Sequence, residues 1–216
     1  MLVSVPHYGT QPLPHVTRDD YSEPWFETFA YGFADTFVGD LYGDLHEHGA
    51  TVLATPFSRM FVDVNRRRDD FEHHDGEVRS RRGVVRTHTM RDVPIFARSL
   101  GLADLEARLQ ALYDPYYATL ERLLGELREA YGYAMLLDGH TGSPRRMKDH
   151  QVIIGTRHAA TCARSWRRPW RRSSPATASR CTTMSAAIPA AISWPRSVSP
   201  RPGASTPSSS RSTRRC

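Results

Sequence analysis

With 216 residues the chain is long enough to bury one sizeable hydrophobic core, and its net charge of +6, taken whole, would suggest a nucleic acid or another polyanion as partner. That charge is unevenly placed: residues 150–216 hold 12 Arg and no acid, while residues 1–149 hold 17 basic and 23 acidic residues, a net −6. The tail has few interleaved aromatics (Trp166, Trp170, Trp194) and no known nucleic-acid motif, so a nucleic-acid partner is disfavoured. Cys162, Cys181 and Cys216 all lie late and form no disulfide framework. No apolar run near the start is long enough for a signal peptide or a membrane span, so a soluble, cytoplasmic protein without a membrane partner is expected.

Residues 2–5 form a short β-type run that passes into Pro6-His7-Tyr8-Gly9. A strand here hands a histidine to a glycine-containing loop. Residues 35–48 read as a helix, with Phe37, Leu41 and Leu45 spaced by four along one face. Asp35 stands at its start, where a carboxylate can cap the helix and meet the positive end of its dipole.

Residues 50–54 and 60–64 are the next strand candidates, the second ending in Asn65-Arg66. A guanidinium fork beside an amide suits a carboxylate ligand, although Asp69 and Asp70 next door could equally neutralise a solvated basic loop. Residues 69–92 are polar and Arg-rich, an irregular excursion. Residues 102–112 form a short amphipathic helix, and Asp114-Pro115 begins another with Asp as N-cap and Pro at its first position. Leu120, Leu123, Leu124 and Leu127 give that helix its buried stripe, and Gly132 ends it.

The stretch 133–143, YAMLLDGHTGS, follows at once, so a helix leads directly into a buried strand as in an α/β fold. The strand runs out into Asp138-Gly139-His140. In open α/β sheets the carboxyl edge is where ligands bind, and an imidazole there can hold a metal or move a proton. Residues 151–154 are a further strand candidate.

After Cys162 the composition turns to Arg, Ser, Pro and Ala without a period of 2 or 3.6, which fits either a disordered basic tail or a coding sequence read in the wrong frame. The genetic code separates these in part. A one-base shift lets residues 188–195 encode Tyr/His-Thr-Gly-Gly-Tyr/His-Ile-Val-Ala, and residues 206–213 encode Asp-Ala-Leu-Gln-Leu-Glu-Ile-Asn. One shift thus recovers protein-like text twice. The expected organisation is an incomplete catalytic domain over residues 1–162 and an out-of-frame, disordered tail over residues 163–216.

The segments PHYG (6–9), ADTFVGDLY (34–42), SRMFVDVNR (58–66), YDPYY (113–117), LLDGHTGS (136–143) and VIIGTRHAATC (152–162) stand in an order that resembles the N-formylglutamate amidohydrolase (N-formylglutamate deformylase) family. The recovered Gly-Gly and Leu-Glu-Ile-Asn segments look like that family's ending. The resemblance implies an α/β fold with a mixed central sheet flanked by helices, similar to zinc carboxypeptidases and aspartoacylases and here cut short on its C-terminal side. It implies one zinc ion held by His7, Asp35 and His140, with His7 and His140 at the catalytic centre. It places Arg59, Asn65 and Arg66 where the substrate's carboxylates would be gripped. The implied reaction is hydrolysis of N-formyl-L-glutamate, a small dicarboxylate, to L-glutamate and formate in histidine breakdown. Another N-acyl amino acid is the alternative substrate. The family's expected base is the glutamate of the Leu-Glu-Ile-Asn ending, where this chain reads Arg211. Tyr117 stands where a His is common, and Ala159 where a Gly is common.

Overall fold

The computed structural model describes residues 1–22, 30–35, 37–142 and 152–155. Its centre is a three-stranded sheet in the order β2-β1-β5, formed by β1 (Leu2–Val5), β2 (Thr51–Ala54) and β5 (Leu136–Asp138). Both pairings are parallel, with Leu2 opposite Thr51 on one side and opposite Leu136 on the other. A mixed sheet was expected; among the described residues this one is wholly parallel. A second, two-stranded antiparallel ribbon, β3 (His73–His74) with β4 (Glu77–Val78), interrupts the otherwise irregular polar excursion.

β1 is buried on both faces, as a central parallel strand must be. Leu2 packs with Leu120 and Leu124 on one face, while Val3 and Val5 pack with Val38 on the other. These are contributed by α3 (Asp114–Tyr131) and α1 (Val38–Tyr42). α2 (Leu102–Arg108) runs through a π-helical stretch, Leu109–Tyr113, into α3. The break expected at Asp114 is therefore absent: Asp114 and Pro115 continue a helical backbone rather than restart it. Gly132 does end α3, at φ 77°, where its N–H donates to the Arg128 carbonyl. A side chain at that φ would be strained, which is why glycine stands there. Leu120 and Leu124 are each at most 5% exposed. Shortening Leu120 to Ala should therefore cost about 2–5 kcal/mol in urea unfolding, and a loss below about 1 kcal/mol would contradict this packing.

The larger core lies beside the sheet and is built mostly by irregular backbone. Met60, Phe61, Val62, Val64, Val84, Val85 and Ile95 meet Leu105, Leu109 and Leu112 there. The strand expected over residues 60–64 is a series of turns instead. Two side chains explain it: Ser58 Oγ accepts from the Met60 N–H and Asp63 Oδ1 from the Asn65 N–H, while the Phe61 N–H donates to the Ser58 carbonyl. Local side-chain acceptors outcompete a strand partner although the residues favour β structure.

Residues 35–48 differ from expectation too. Among the described residues of that stretch only Val38–Tyr42 is α-helical, and the helix starts from Phe37 in the left-handed conformation, φ 63°. The inward side chains of the helix are Val38 and Tyr42, joined by Leu45 from the turns that follow, rather than Phe37 and Leu41, which are 71% and 57% exposed. Asp35 does not cap it, because the Asp35 carboxylate is engaged elsewhere. Of the strand expected at 151–154, the described part has a single bridge residue, Ile153, and Gln151 lies outside the described residues. The expected tail, 163–216, also lies outside them. Among the described residues no helix is long and apolar enough to cross a membrane.

Candidate metal centre

β1 and β5 are neighbours running the same way, with Ser4 opposite Asp138. Whatever follows them emerges side by side at the carboxyl edge of the sheet. His7 follows β1 and His140 follows β5, and their ring centroids are 4.8 Å apart. Close backbone approaches fix both loops. A Cβ on Gly9 would lie 2.2 Å from the Pro56 carbonyl carbon, and one on Gly139 3.0 Å from the Tyr42 ring. The Gly139 N–H also donates to the Ser4 carbonyl.

Asp35 is fastened to the same edge. Its N–H donates to the His7 carbonyl at 2.9 Å, and its Oδ2 accepts from the Thr141 N–H at 3.3 Å. That Oδ2 is 2.8 Å from His140 Nδ1 and 3.7 Å from His7 Nδ1. The remaining ring nitrogens are held by two further carboxylates. His7 Nε2 is 2.8 Å from Asp63 Oδ1, and His140 Nε2 is 3.1 Å from Asp138 Oδ2. Ser4 Oγ donates to Asp138 Oδ1 and shares a hydrogen bond with the buried Tyr116 hydroxyl, tying this end of the site to α3.

Each imidazole thus has a carboxylate at Nε2 and faces Asp35 with Nδ1. A proton fixed at Nε2 turns the His7 Nδ1 lone pair toward a ligand, and His140 Nδ1 offers one once it gives up the proton it shares with Asp35 Oδ2, the arrangement in which second carboxylates orient metal-binding histidines. His7, Asp35 and His140 form a group whose ligand atoms all lie within 4.8 Å of one another. Donors on a tetrahedral zinc with ~2.0–2.1 Å bonds stand ~3.3 Å apart, and the separations of 2.8 and 3.7 Å bracket that value. Three carboxylates surround the two imidazoles, so a divalent cation that replaced the His140 proton would still be matched by negative charge. The residues therefore fit such an ion.

The electrostatics follow from this packing. Burial works against charge on His140, but hydrogen bonds to Asp138 and Asp35 override it and push its pKa up to about 10. Burial likewise opposes ionisation of Asp35 and Asp63, yet Asp35's contacts with His140 and His7, and Asp63's with His7 and Arg59, hold both carboxyls below the usual range. One consequence is testable in the metal-free chain. The ordinary histidine value is 6.5. Stability from the His140 imidazolium is therefore complete below pH 6.5, declines as pH rises, and is gone above about 10. Thermal melts across pH 6–10 should show that decline, and His140→Gln should flatten it. An equal slope in wild type and variant would contradict the assignment.

Of the other residues singled out from sequence, two touch the imidazoles. Arg59 Nη1 donates to His7 Nδ1 at 2.9 Å, and Asn65 Nδ2 lies 2.9 Å from His140 Nε2. Arg66 does not: its guanidinium sits 4.0 Å from Asp63 and 3.6 Å from Asp70, and its side chain is 41% exposed. Arg67 pairs with Asp69, and Arg68 with Glu106 and Asp114. Tyr117 lies against Tyr113 and donates to the Val64 carbonyl. Sequence reasoning missed Asp63 and Asp138 as partners of the imidazoles. The Asp-Gly-His spacing at the end of β5 was the available signal for Asp138. Asp63, inside an apolar run, gave none.

The model of a protein family described as N-formylglutamate amidohydrolase matches residues 1–184, past Cys162. An N-formylglutamate deformylase of Pseudomonas putida is 32% identical over 143 residues, 65% of this chain and 51% of that protein. An N-formylglutamate deformylase of Pseudomonas aeruginosa is 29% identical over 144 residues, with the same coverage. The chain spans about half the length of these curated relatives. The crystal structure of an N-formylglutamate amidohydrolase from Ralstonia eutropha JMP134 superposes with a TM-score of 0.63, covering 79% of this chain and 66% of that one. At 23% identity that likeness speaks for the fold.

Proposed function

Because the chain belongs to the N-formylglutamate amidohydrolase family, we propose that its site is built to hydrolyse the amide of N-formyl-L-glutamate, releasing L-glutamate and formate. The observation that carries this reading is the pair of strand-end histidines, each with a carboxylate at Nε2 and each turned toward Asp35. His7, Asp35 and His140 would hold one zinc ion, leaving a position open as in catalytic sites. A zinc ion bound there supplies a Lewis acid and a water acidic enough to attack at neutral pH.

The protein groups have distinct work. Asp63 and Asp138 keep the imidazoles in one tautomer and one orientation. Asn65 offers an amide beside His140, and Arg59 and Arg66 supply guanidinium forks for the substrate's carboxylates. A carboxylate base must take the water's proton and return it to the leaving nitrogen. The family's glutamate for that task would come from the recovered Leu-Glu-Ile-Asn segment, whereas the chain carries Arg211. We read residues 163–216 as out of frame, and the chain as written as able to bind metal but inactive.

The substrate is tested on a frame-restored chain with zinc, offered N-formyl- and N-acetyl-L-glutamate in parallel. Formate release should exceed acetate release at least about tenfold in kcat/KM, since an added methyl in a fitted pocket changes discrimination by about 10–200-fold. Preference for the acetyl compound would favour the other N-acyl amino acid reading.

A further inference from the structure

Arg59 stands in a place that a carboxylate-gripping residue need not occupy. Its Nη1 donates to the Nδ1 lone pair of His7, the atom a metal would take, and its Nη2 lies 4.0 Å from Asp35 Oδ1. The guanidinium thus sits on two of the three groups that would ligate an ion. Its Nε is buried and has no hydrogen-bond partner among the described residues. The pose therefore sets a positive charge beside Asp35 and leaves the Arg59 Nε short of a partner among the described residues.

We propose that Arg59 is the resident cation of the metal-free site, and that a divalent ion binds only by displacing its guanidinium from His7 Nδ1. One lone pair cannot serve both, and a guanidinium and a divalent ion repel each other across a few ångströms of poorly screened space. Once moved, the guanidinium no longer donates to His7, and its fork is free for an anionic group of the substrate. The side chain is 21% exposed, so open space adjoins it. In this way metal loading and exposure of the substrate-binding charge become one event. The inference rests on the metal site proposed above.

The test uses the full 216-residue chain, stripped of metal and titrated with zinc chloride by calorimetry. Arg59→Met removes the competitor without adding a charge and should lower the zinc Kd about tenfold or more, the loss of a charge-assisted contact. It should also lower the melting temperature of the metal-free chain by several degrees, because the acids lose their cation, with the difference shrinking once zinc is bound. Arg59→Lys, which keeps charge but not the fork, should tighten zinc binding a few-fold and serves if the Met variant does not fold. A merely structural Arg59 would lower the melting temperature equally with and without zinc. Unchanged or weaker zinc binding in the Arg59 variants, with His140→Ala abolishing binding, would overturn the role of Arg59 and leave the metal site standing. No zinc binding by the wild-type chain would instead remove the metal site, and this inference with it.

Discussion

Restoring the reading frame after Cys162 should turn a chain without measurable turnover into one that releases formate from N-formyl-L-glutamate. On the proposed frameshift reading, two losses would be repaired together. The first, on the proposed frameshift, is the general base: a one-base shift permits a glutamate where the chain reads Arg211. A positioned base is worth about 10²–10⁴ in rate, and an arginine cannot take a proton at neutral pH. The second is the sheet. Among the described residues β2 and β5 are its edges, and a further strand would pair one of them. His140 hangs from the end of β5, so a better-held β5 also holds the site. The two chains are compared by formate release with zinc present. Comparable turnover would refute both the frameshift and the role given to the missing glutamate. If only the restored chain turns over, changing its recovered glutamate to glutamine separates the base from the fold, since the amide keeps the shape and loses the proton acceptor.

The second large effect is expected at His140. In the frame-restored chain, His140→Ala should lower kcat/KM by about 10³-fold or more and abolish tight zinc binding, because one of the three proposed ligands would be lost. The neighbouring carboxylates should behave differently. Asp63→Asn and Asp138→Asn leave every ligand in place but disturb the tautomer and ring orientation, so zinc affinity should fall only about 10–100-fold. Zinc content and formate release measured on the same preparations distinguish the two classes. A His140→Ala protein that keeps its zinc and more than a tenth of its rate would contradict the ligand set.

How far these features could be read beforehand depended on the range of the forces involved. β1 was legible as a strand because Leu2, Val3 and Val5 need burial on both faces, and α3 because its leucine stripe and Gly132 obey local rules. Residues 60–64 misled because the same apolar run can be buried by turns when Ser58 and Asp63 satisfy the backbone. Residues 35–48 misled because Asp35 is drawn to an imidazole 105 positions away instead of capping its own helix. In the site, strand ends placed His7 and His140 at a sheet edge in principle. That β1 and β5 are adjacent, which puts the two rings in contact, is a property of sheet order and not of any local pattern. Asp63 reaches His7 from a turn 56 residues on, through a contact no periodicity announces.

The most direct measurement is an anomalous difference map recorded across the zinc absorption edge, from crystals of the chain grown with zinc. A single strong peak should lie ~2.0–2.2 Å from His7 Nδ1, a carboxylate oxygen of Asp35 and His140 Nδ1, with Asp63 and Asp138 still at the two Nε2 atoms. A peak bound by other residues, or none while Arg59 still donates to His7, would contradict the account.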